Sequence, residues 1–508
     1  MSSQGPRPQS TESSGVLPAA AQLDRQWLWA LIGVSLLGLA LRAFLLDRQS
    51  LWLDETLALR RASAGDLREV LQFGAQAGPS PPLYFVLLHA WLRATAATPV
   101  AARGFSVLFG ALTVPLTGLT LRPLLGRRAT LATVLLLAVN PFHVYYSQEA
   151  RPYALLLFLY VLSVHCLRRA LCARRAPAWL LHWLCTTACG YVHYIGGAAI
   201  LGQGLYAVFA GHVKDRRTRN PVVCSLAGAA MGVAAWALGP RFFGTVGAIL
   251  QPREPLREAV ARLPGILLHL TWDTQFGYFP GLEHAPLGLL SLMLCLSVVL
   301  AAVSIGAGVH LLRGRQRDAA LLLGALLSGA LAVGAGVVVC TFFKSTRYFL
   351  PVLLPALGLQ GVALLELWKG RLRPICVALV CGLGVLTVVS LHNYYVDPTY
   401  AREDWRSLAH YLNENAQVGD QVVLPVYYYD APLETYYTGS AEVISLTPVE
   451  HWSAQLRERF RADPLKGDRV YWVIRVEPKE GPDPASPGTE SVHEFHRLRL
   501  IRFRLSPD

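Results

Sequence analysis

Long apolar stretches alternate with short polar ones along most of this chain, and each apolar stretch is about as long as a bilayer is thick. A spanning helix needs about 20 apolar residues at a rise of about 1.5 Å each. The first such stretch is Trp27 to Leu46. Others lie at 104–121, 129–146, 153–171, 178–194, 196–212, 221–243, 286–311, 319–341, 349–367 and 374–394, so eleven spans are predicted. The apolar run at 81–92 is too short to cross and reads as a re-entrant or interfacial helix. Residues 1–26 are polar and rich in Ser, Pro and Gln, without a basic-then-apolar order, and read as a disordered tail rather than a signal peptide.

The pattern changes again at the C-terminal end. Residues 395–508 carry 13 Lys/Arg against 18 Asp/Glu. Asp404 to Asn413 has helical periodicity, and Gln421 to Tyr429, Arg469 to Val476 and His493 to Leu505 read as strands. The predicted architecture is mainly α: a polytopic membrane domain over 27–394, followed by a small α/β domain over 395–508.

Composition supports this. Apolar residues make up 53% of the 508 and charged residues only 16%, which excludes an ordinary soluble protein and a disordered one. Nine Cys, none after Cys381, do not make a disulfide scaffold. The 12 Trp and 20 Tyr suit many membrane-interface positions.

A net charge of +13 would suggest nucleic acid, but the placement of the charges gives another origin. The loops at 122–128, 168–175, 214–219, 313–318 and 369–373 hold 17 Lys/Arg and only Asp215 and Asp318 as acids, a surplus of +15. The alternating loops at 47–103, 144–152, 244–285 and 342–348 are mixed. The positive-inside rule then puts the basic loops and the N-terminus in the cytoplasm and the C-terminal domain outside. No nucleic-acid partner is expected. Arg outnumbers Lys 41 to 5, which fits a GC-rich bacterial genome and a cell inner (plasma) membrane.

This topology gathers the informative polar residues on the outer side. Ser50-Leu51-Trp52-Leu53-Asp54-Glu55 follows the first span. Adjacent carboxylates do not share a helix face, so one can enter a cavity while the other pairs elsewhere. The plain alternative is a solvated loop. Pro81-Pro82-Leu83-Tyr84 opens the short apolar helix, or simply turns the chain. Asn140 to Tyr153 places His143, Glu149 and Arg151 at the outer interface, where charges are costly and often functional; local Glu149–Arg151 pairing is the alternative.

Tyr191-Val192-His193-Tyr194 ends the fifth span. Cys185, Cys189 and His193 share a helix face, but with no fourth ligand a polar cavity role for His193 is preferred over a metal. Lys344 to Pro351 brings Lys344, Arg347 and Tyr348 to the same side, as lipid-headgroup contacts or as a phosphate clamp. Tyr400 to Arg406 adds further polar groups there. There is no P-loop and no Gly-rich strand-turn-helix unit. An outward site without nucleotides needs an activated donor on a lipid carrier.

These pieces resemble the polytopic GT-C glycosyltransferases, in particular the bacterial family-39-like group related to protein O-mannosyltransferases and lipid A aminoarabinose transferases. The matching segments are Leu51–Glu55, Pro81–Tyr84, Arg103–Gly110, Pro141–Tyr153, Tyr191–Tyr194 and Arg347–Pro351, spread over about 27–410. The resemblance implies a membrane glycosyltransferase that moves a sugar from a polyprenyl-phosphate-linked donor to a lipid, glycan or protein acceptor on the extracytoplasmic face, with inversion. It implies Asp54 as general base, supported by Glu55, with Glu149 as a second acid. Arg347, Lys344 and Arg151 are candidates for the donor phosphate, chiefly on chemical grounds. His193, Tyr348, Tyr84 and His143 are expected to line the cavity. No cofactor is certain; outer carboxylates suit a divalent cation. A transporter or flippase of lipid-linked sugars is the competing reading, yet few charges fall deep within spans: Arg42 and Arg241 lie near span ends. A non-catalytic assembly protein would leave the clustered outer charges unexplained.

Overall fold

The computed structural model describes residues 25–76, 80–237, 287–340, 345–424, 429–445, 469–475 and 489–504, with 261 and 272 as isolated positions. The helices in chain order are α1 (Arg25–Ala43), α2 (Leu53–Ala62), α3 (Leu67–Gln76), α4 (Leu83–Ala94), α5 (Pro99–Val139), α6 (Pro141–Ser147), α7 (Tyr153–Ala173), α8 (Ala176–Val192), α9 (Gly197–Phe209) and α10 (Arg216–Ala237). Then follow α11 (Leu287–Arg313), α12 (Arg317–Cys340), α13 (Leu353–Lys369), α14 (Arg373–Tyr395), α15 (Trp405–Asn415) and α16 (Asp430–Glu434). Among the described residues seven helices are long and apolar enough to cross a membrane, so this is a multi-pass membrane protein.

Each of the eleven predicted segments coincides, over its described part, with one of these helices or an arm of one. α5 supplies two. Its 41 residues would reach about 60 Å if straight. At Gly126 (φ +77°) the backbone enters a region open to glycine and the helix folds back on itself. The doubling back is visible at Gly118, where an added Cβ would lie 3.4 Å from Val134 and 2.7 Å from Leu31 of α1. Thr98 starts α5 by accepting from the Ala101 amide at 3.2 Å, with Pro99 in the first turn. At the other end Asn140 caps α6 through its side chain on the His143 amide at 2.9 Å, again with a Pro following. The span predicted to run to 146 therefore breaks at Asn140-Pro141.

The apolar run at 81–92 is α4, too short to cross, packed on α2, α3, α5 and α8. Its neighbours form one continuous core with the spans, among them Tyr84, Leu88, Phe105, Leu121, Leu156 and Phe349.

The C-terminal part is a five-stranded sheet in the order β2-β1-β3-β5-β4, parallel across β2, β1 and β3 and antiparallel beyond. The strands are β1 (Gln421–Leu424), β2 (Glu442–Ser445), β3 (Arg469–Arg475), β4 (Thr489–Phe495) and β5 (Leu498–Arg504). Asp404 caps α15 by accepting from the Ser407 amide at 3.1 Å. Trp405, Leu408 and Leu412 then bury against Val422, Tyr471 and Leu500. The single strand expected over 493–505 is a hairpin. Its turn at His496-Arg497 puts Arg497 at φ +60° without the Gly or Asn that usually marks such turns. β2 has no sequence signal of its own; it pairs in register with β1.

Candidate active site

The site forms where six chain segments meet at one end of the bundle, around Asp54, Arg103, Glu149, His193, Arg347 and Arg402. The first carries the paired acids. Trp52 is extended (ψ 170°), and the helix starts at Leu53 with Asp54 and Glu55 in its first turn, where the helix dipole favours carboxylates. The Trp52 amide donates weakly to Glu55 Oε2 at 3.4 Å. Neighbours on a helix point about 100° apart, so the two acids part company.

Glu55 turns inward and is fully buried. Arg103, from the start of α5, grips it with both ends of its fork, Nε to Oε1 and Nη2 to Oε2, each at 2.9 Å. Arg402, from the segment joining α14 to α15, also pairs with Oε2. The Ala150 amide donates to Oε1 at 2.9 Å. Burial alone would push this carboxyl up, but Arg103 and Arg402 outweigh it and hold it at about 2. Arg103 itself donates to the carbonyls of Leu46, Gln49 and Ser50, at 2.8–3.0 Å.

Asp54 turns to the mouth of the site and keeps 26% of its side chain exposed. Its Oδ2 receives Arg151 Nη2 at 3.1 Å and Arg347 Nη1 at 3.5 Å. Arg151 follows Glu149 in a tight turn, its amide donating to the Glu149 carbonyl at 2.7 Å. The alternative of local pairing between these two side chains is not what forms; Glu149 is buried and pairs instead with Arg402 Nη2 at 2.7 Å. Burial and the nearby Glu55 charge push the Glu149 carboxyl above its ordinary range, against the pull of Arg402 and Arg151. Arg151 is held charged by Asp54 against the cost of its burial.

An aromatic wall stands beside the Asp54 layer. His193 lies 4.0 Å from the Tyr194 ring, 5.5 Å from Tyr153 and 6.2 Å from Tyr348. Arg347 sits over Tyr348 at 5.4 Å and Tyr153 at 5.9 Å, within cation–π range. Tyr84 lies fully buried beneath, against Phe85 and Phe105, and near enough to Arg151, Glu55 and Glu149 to feel their charges.

The structure thus brings together Asp54, Glu55, Glu149, Arg151, Arg347, His193, Tyr348 and Tyr84, with Tyr84 as floor rather than open lining. His143 departs from expectation: it is fully buried with Nδ1 2.7 Å from Arg42 Nη2, in a cluster joining α1, α5 and α6. Arg42 donates onward to the carbonyls of Gly38, Ala138 and Leu137, so its charge is spent on holding helices together. Lys344 lies outside the described residues. Cys185 faces Cys166 at 4.0 Å between sulfurs, while His193 Nδ1 accepts from the Ile195 amide at 3.2 Å. Among the described residues no three His, Cys, Asp or Glu side chains are placed to hold a metal. The site's carboxylates are each engaged by guanidinium groups and do not fit a divalent ion.

Three carboxylates here meet four guanidinium groups, a net charge of +1 among the described residues. That leaves a positive excess for an anion at the exposed layer.

A family model described as dolichyl-phosphate-mannose-protein mannosyltransferase matches residues 79–250. No curated protein sequence matches. Among solved structures, ArnT from Cupriavidus metallidurans in the apo state aligns at TM-score 0.58 and 15% identity, covering 94% of this chain and 98% of that one. The same protein bound to undecaprenyl phosphate aligns at TM-score 0.54, 15% identity and the same coverage. The oligosaccharyltransferase AglB from Archaeoglobus fulgidus, in complex with an inhibitory peptide and a dolichol-phosphate, aligns at TM-score 0.53 and 13% identity, covering 89% and 70%.

The fold is the one seen in these ArnT and AglB structures, the GT-C fold. On this GT-C frame the two charged residues that sequence reasoning missed as site members are Arg103 and Arg402. Arg103 had a usable signal, as a lone charge at the head of an apolar stretch. Arg402 stands among other charges between Tyr400 and Arg406, and nothing local separates it from them.

Proposed function

We propose that this protein is an inverting membrane glycosyltransferase that transfers a sugar from a polyprenyl-phosphate-linked donor to a hydroxyl acceptor on the extracytoplasmic face. The N-terminus is cytoplasmic and the C-terminal domain faces out, in a cell inner membrane. The observation that carries the reading is the division of labour between Asp54 and Glu55. The partly exposed Asp54 lies at the mouth between two guanidinium groups, while the buried Glu55 is locked in place. Support comes from the family match and from neighbours whose structures hold undecaprenyl phosphate or dolichol-phosphate.

In the reaction, Asp54 takes the proton of the acceptor hydroxyl as its oxygen bonds to the anomeric carbon. The bond from that carbon to the phosphate oxygen breaks on the opposite face, and the lipid phosphate leaves with the electron pair. Negative charge grows on the phosphate in the transition state, where fixed cations are most effective. Arg151 and Arg347 are placed for this. Both rest on Asp54, so an incoming phosphate competes for them and frees the carboxylate to act as a base.

General-base action is worth about 10²–10⁴-fold. Asp54→Asn should keep the fold and lower release of free lipid phosphate from a radiolabelled polyprenyl-phosphate sugar by that order. Near-normal turnover in the purified variant would overturn the assignment.

A further inference from the structure

The C-terminal domain reaches the acidic segment after the first span at several points. The Leu51 amide donates to Tyr436 Oη at 2.8 Å, and the Arg406 amide to Ser50 Oγ at 3.1 Å. Arg406 pairs with Asp47 at 2.7 Å and Arg60 with Asp430 at 3.2 Å. These are rim contacts. Among the described residues Arg402 alone passes inside. Its amide donates to Gln49 Oε1 at 3.3 Å, and its guanidinium lies 5.3 Å from the Tyr145 ring and 5.7 Å from Trp52.

We propose that Arg402 is a positioning residue of the transfer reaction, a clamp through which the C-terminal domain sets the spacing between Asp54 and Arg151. One end of its fork holds Glu55 and the other holds Glu149. Glu55 has a second cation in Arg103; Glu149, 1% exposed, has Arg402 as its one ion-pair partner among the described residues, with the Tyr145 side chain as a neutral hydrogen-bond partner. Two buried carboxylates next to each other repel unless a shared cation bridges them. Glu55 adjoins Asp54 and Glu149 lies two residues before Arg151, so the bridge fixes both backbones. The Ala150 amide on Glu55 repeats the link. A misplacement of about 1 Å in such a pair costs up to ~10²-fold in rate.

This inference rests on the transferase reading, and its test separates the two. The full-length Arg402→Ala, Arg402→Lys, Glu149→Gln and Arg402→Ala/Glu149→Gln variants are compared in detergent for donor KM, kcat, pH profile and infrared carboxyl bands. Arg402→Ala should lower kcat by about 10–100-fold with donor KM within about twofold. Arg402→Lys, which keeps a charge but not the fork, should stay folded and fall between. The double variant should recover part of the loss, because the carboxylate that needed a partner is gone.

The pH readout is specific. Glu149 is faced by Arg402, Arg151 and Glu55, and by the phenols of Tyr145, Tyr146, Tyr394 and Tyr84. Removing Arg402 takes away the strongest influence in favour of the charged form and leaves burial and Glu55 opposed only by Arg151 and the Tyr145 hydrogen bond, so the neutral form gains. The acid limb of the rate profile and the protonated-carboxyl infrared band should both extend to higher pH, and Glu149→Gln should abolish the shift. Unchanged kcat in Arg402→Ala, strictly additive losses in the double variant, or identical pH profiles would each overturn the clamp. If the wild type releases no lipid phosphate, the transferase reading fails, and the infrared titration, which needs no turnover, still judges whether Arg402 holds Glu149.

Discussion

The inner and outer layers of this site use the same chemistry for opposite ends. In the inner layer, Glu55 and Glu149 are buried and bound by Arg103 and Arg402. In the outer layer, Asp54 meets Arg151 and Arg347 at longer range, with all three side chains partly open. Adjacent acids in the chain therefore receive different tasks from burial alone. A charge locked by a bidentate fork and a backbone amide serves as an anchor, while a charge that can exchange partners is free for chemistry.

The sharpest way to break this contrast is to remove the anchor. Glu55→Gln leaves Arg103 and Arg402 facing a neutral group in a buried place, a loss of about 3–5 kcal/mol of stability. Thermal unfolding of the purified variant should drop steeply, while Asp54→Asn should melt close to wild type. Equal melting of the two variants would dissolve the distinction between layers.

Acid stability sharpens it further. Glu55 is held at about 2 against an ordinary value of 4.5, which corresponds to ~3 kcal/mol. Because the folded-state value is depressed, that stability is fully present above 4.5 and is lost as pH falls toward 2. Glu149 acts in the opposite sense. Its value is raised by burial and by Glu55, so its ionisation costs stability as pH rises through its folded range. Melting temperature followed against pH should pass through a maximum on the mildly acidic side. In Glu55→Gln the fall between 4.5 and 2 should be weaker, and in Glu149→Gln the decline above the maximum should flatten.

Most of the helical frame was legible in the sequence, because a bilayer-length apolar run has few other uses and the hairpin in α5 is announced by Gly126 between two such runs. The gathering of Asp54, Glu149, Arg151 and Arg347 at one end followed from topology. What was not legible were the pairings. Glu149 passes over its neighbour Arg151 for Arg402, 253 residues away, and Glu55 takes Arg103, 48 residues on. Such choices depend on how the spans pack, and no local pattern carries them. His143 shows the reverse case: a polar residue in a suggestive segment that the packing turns toward Arg42. The His496-Arg497 turn escaped for want of Gly or Asn, although its strands alternate well.

The mildest test acts on the outer layer. Arg347 touches Asp54 at 3.5 Å and leans on Tyr348 and Tyr153, with 17% of its side chain exposed. Its removal deprives no buried group of its last partner, since Arg151 stays on Asp54 at 3.1 Å. Arg347→Ala should therefore melt nearly as wild type. A charged hydrogen bond to the donor phosphate is worth about 1.5–3 kcal/mol, so donor affinity should fall by about 10–100-fold. Arg347→Lys should restore part of it, since a point charge replaces a planar fork. Titration with polyprenyl phosphate, followed by tryptophan fluorescence, reads this directly. Unaltered affinity in Arg347→Ala would remove Arg347 from the phosphate site and leave Arg151 as the described cation to meet the leaving group. A large loss of melting temperature would instead move Arg347 into the anchoring layer.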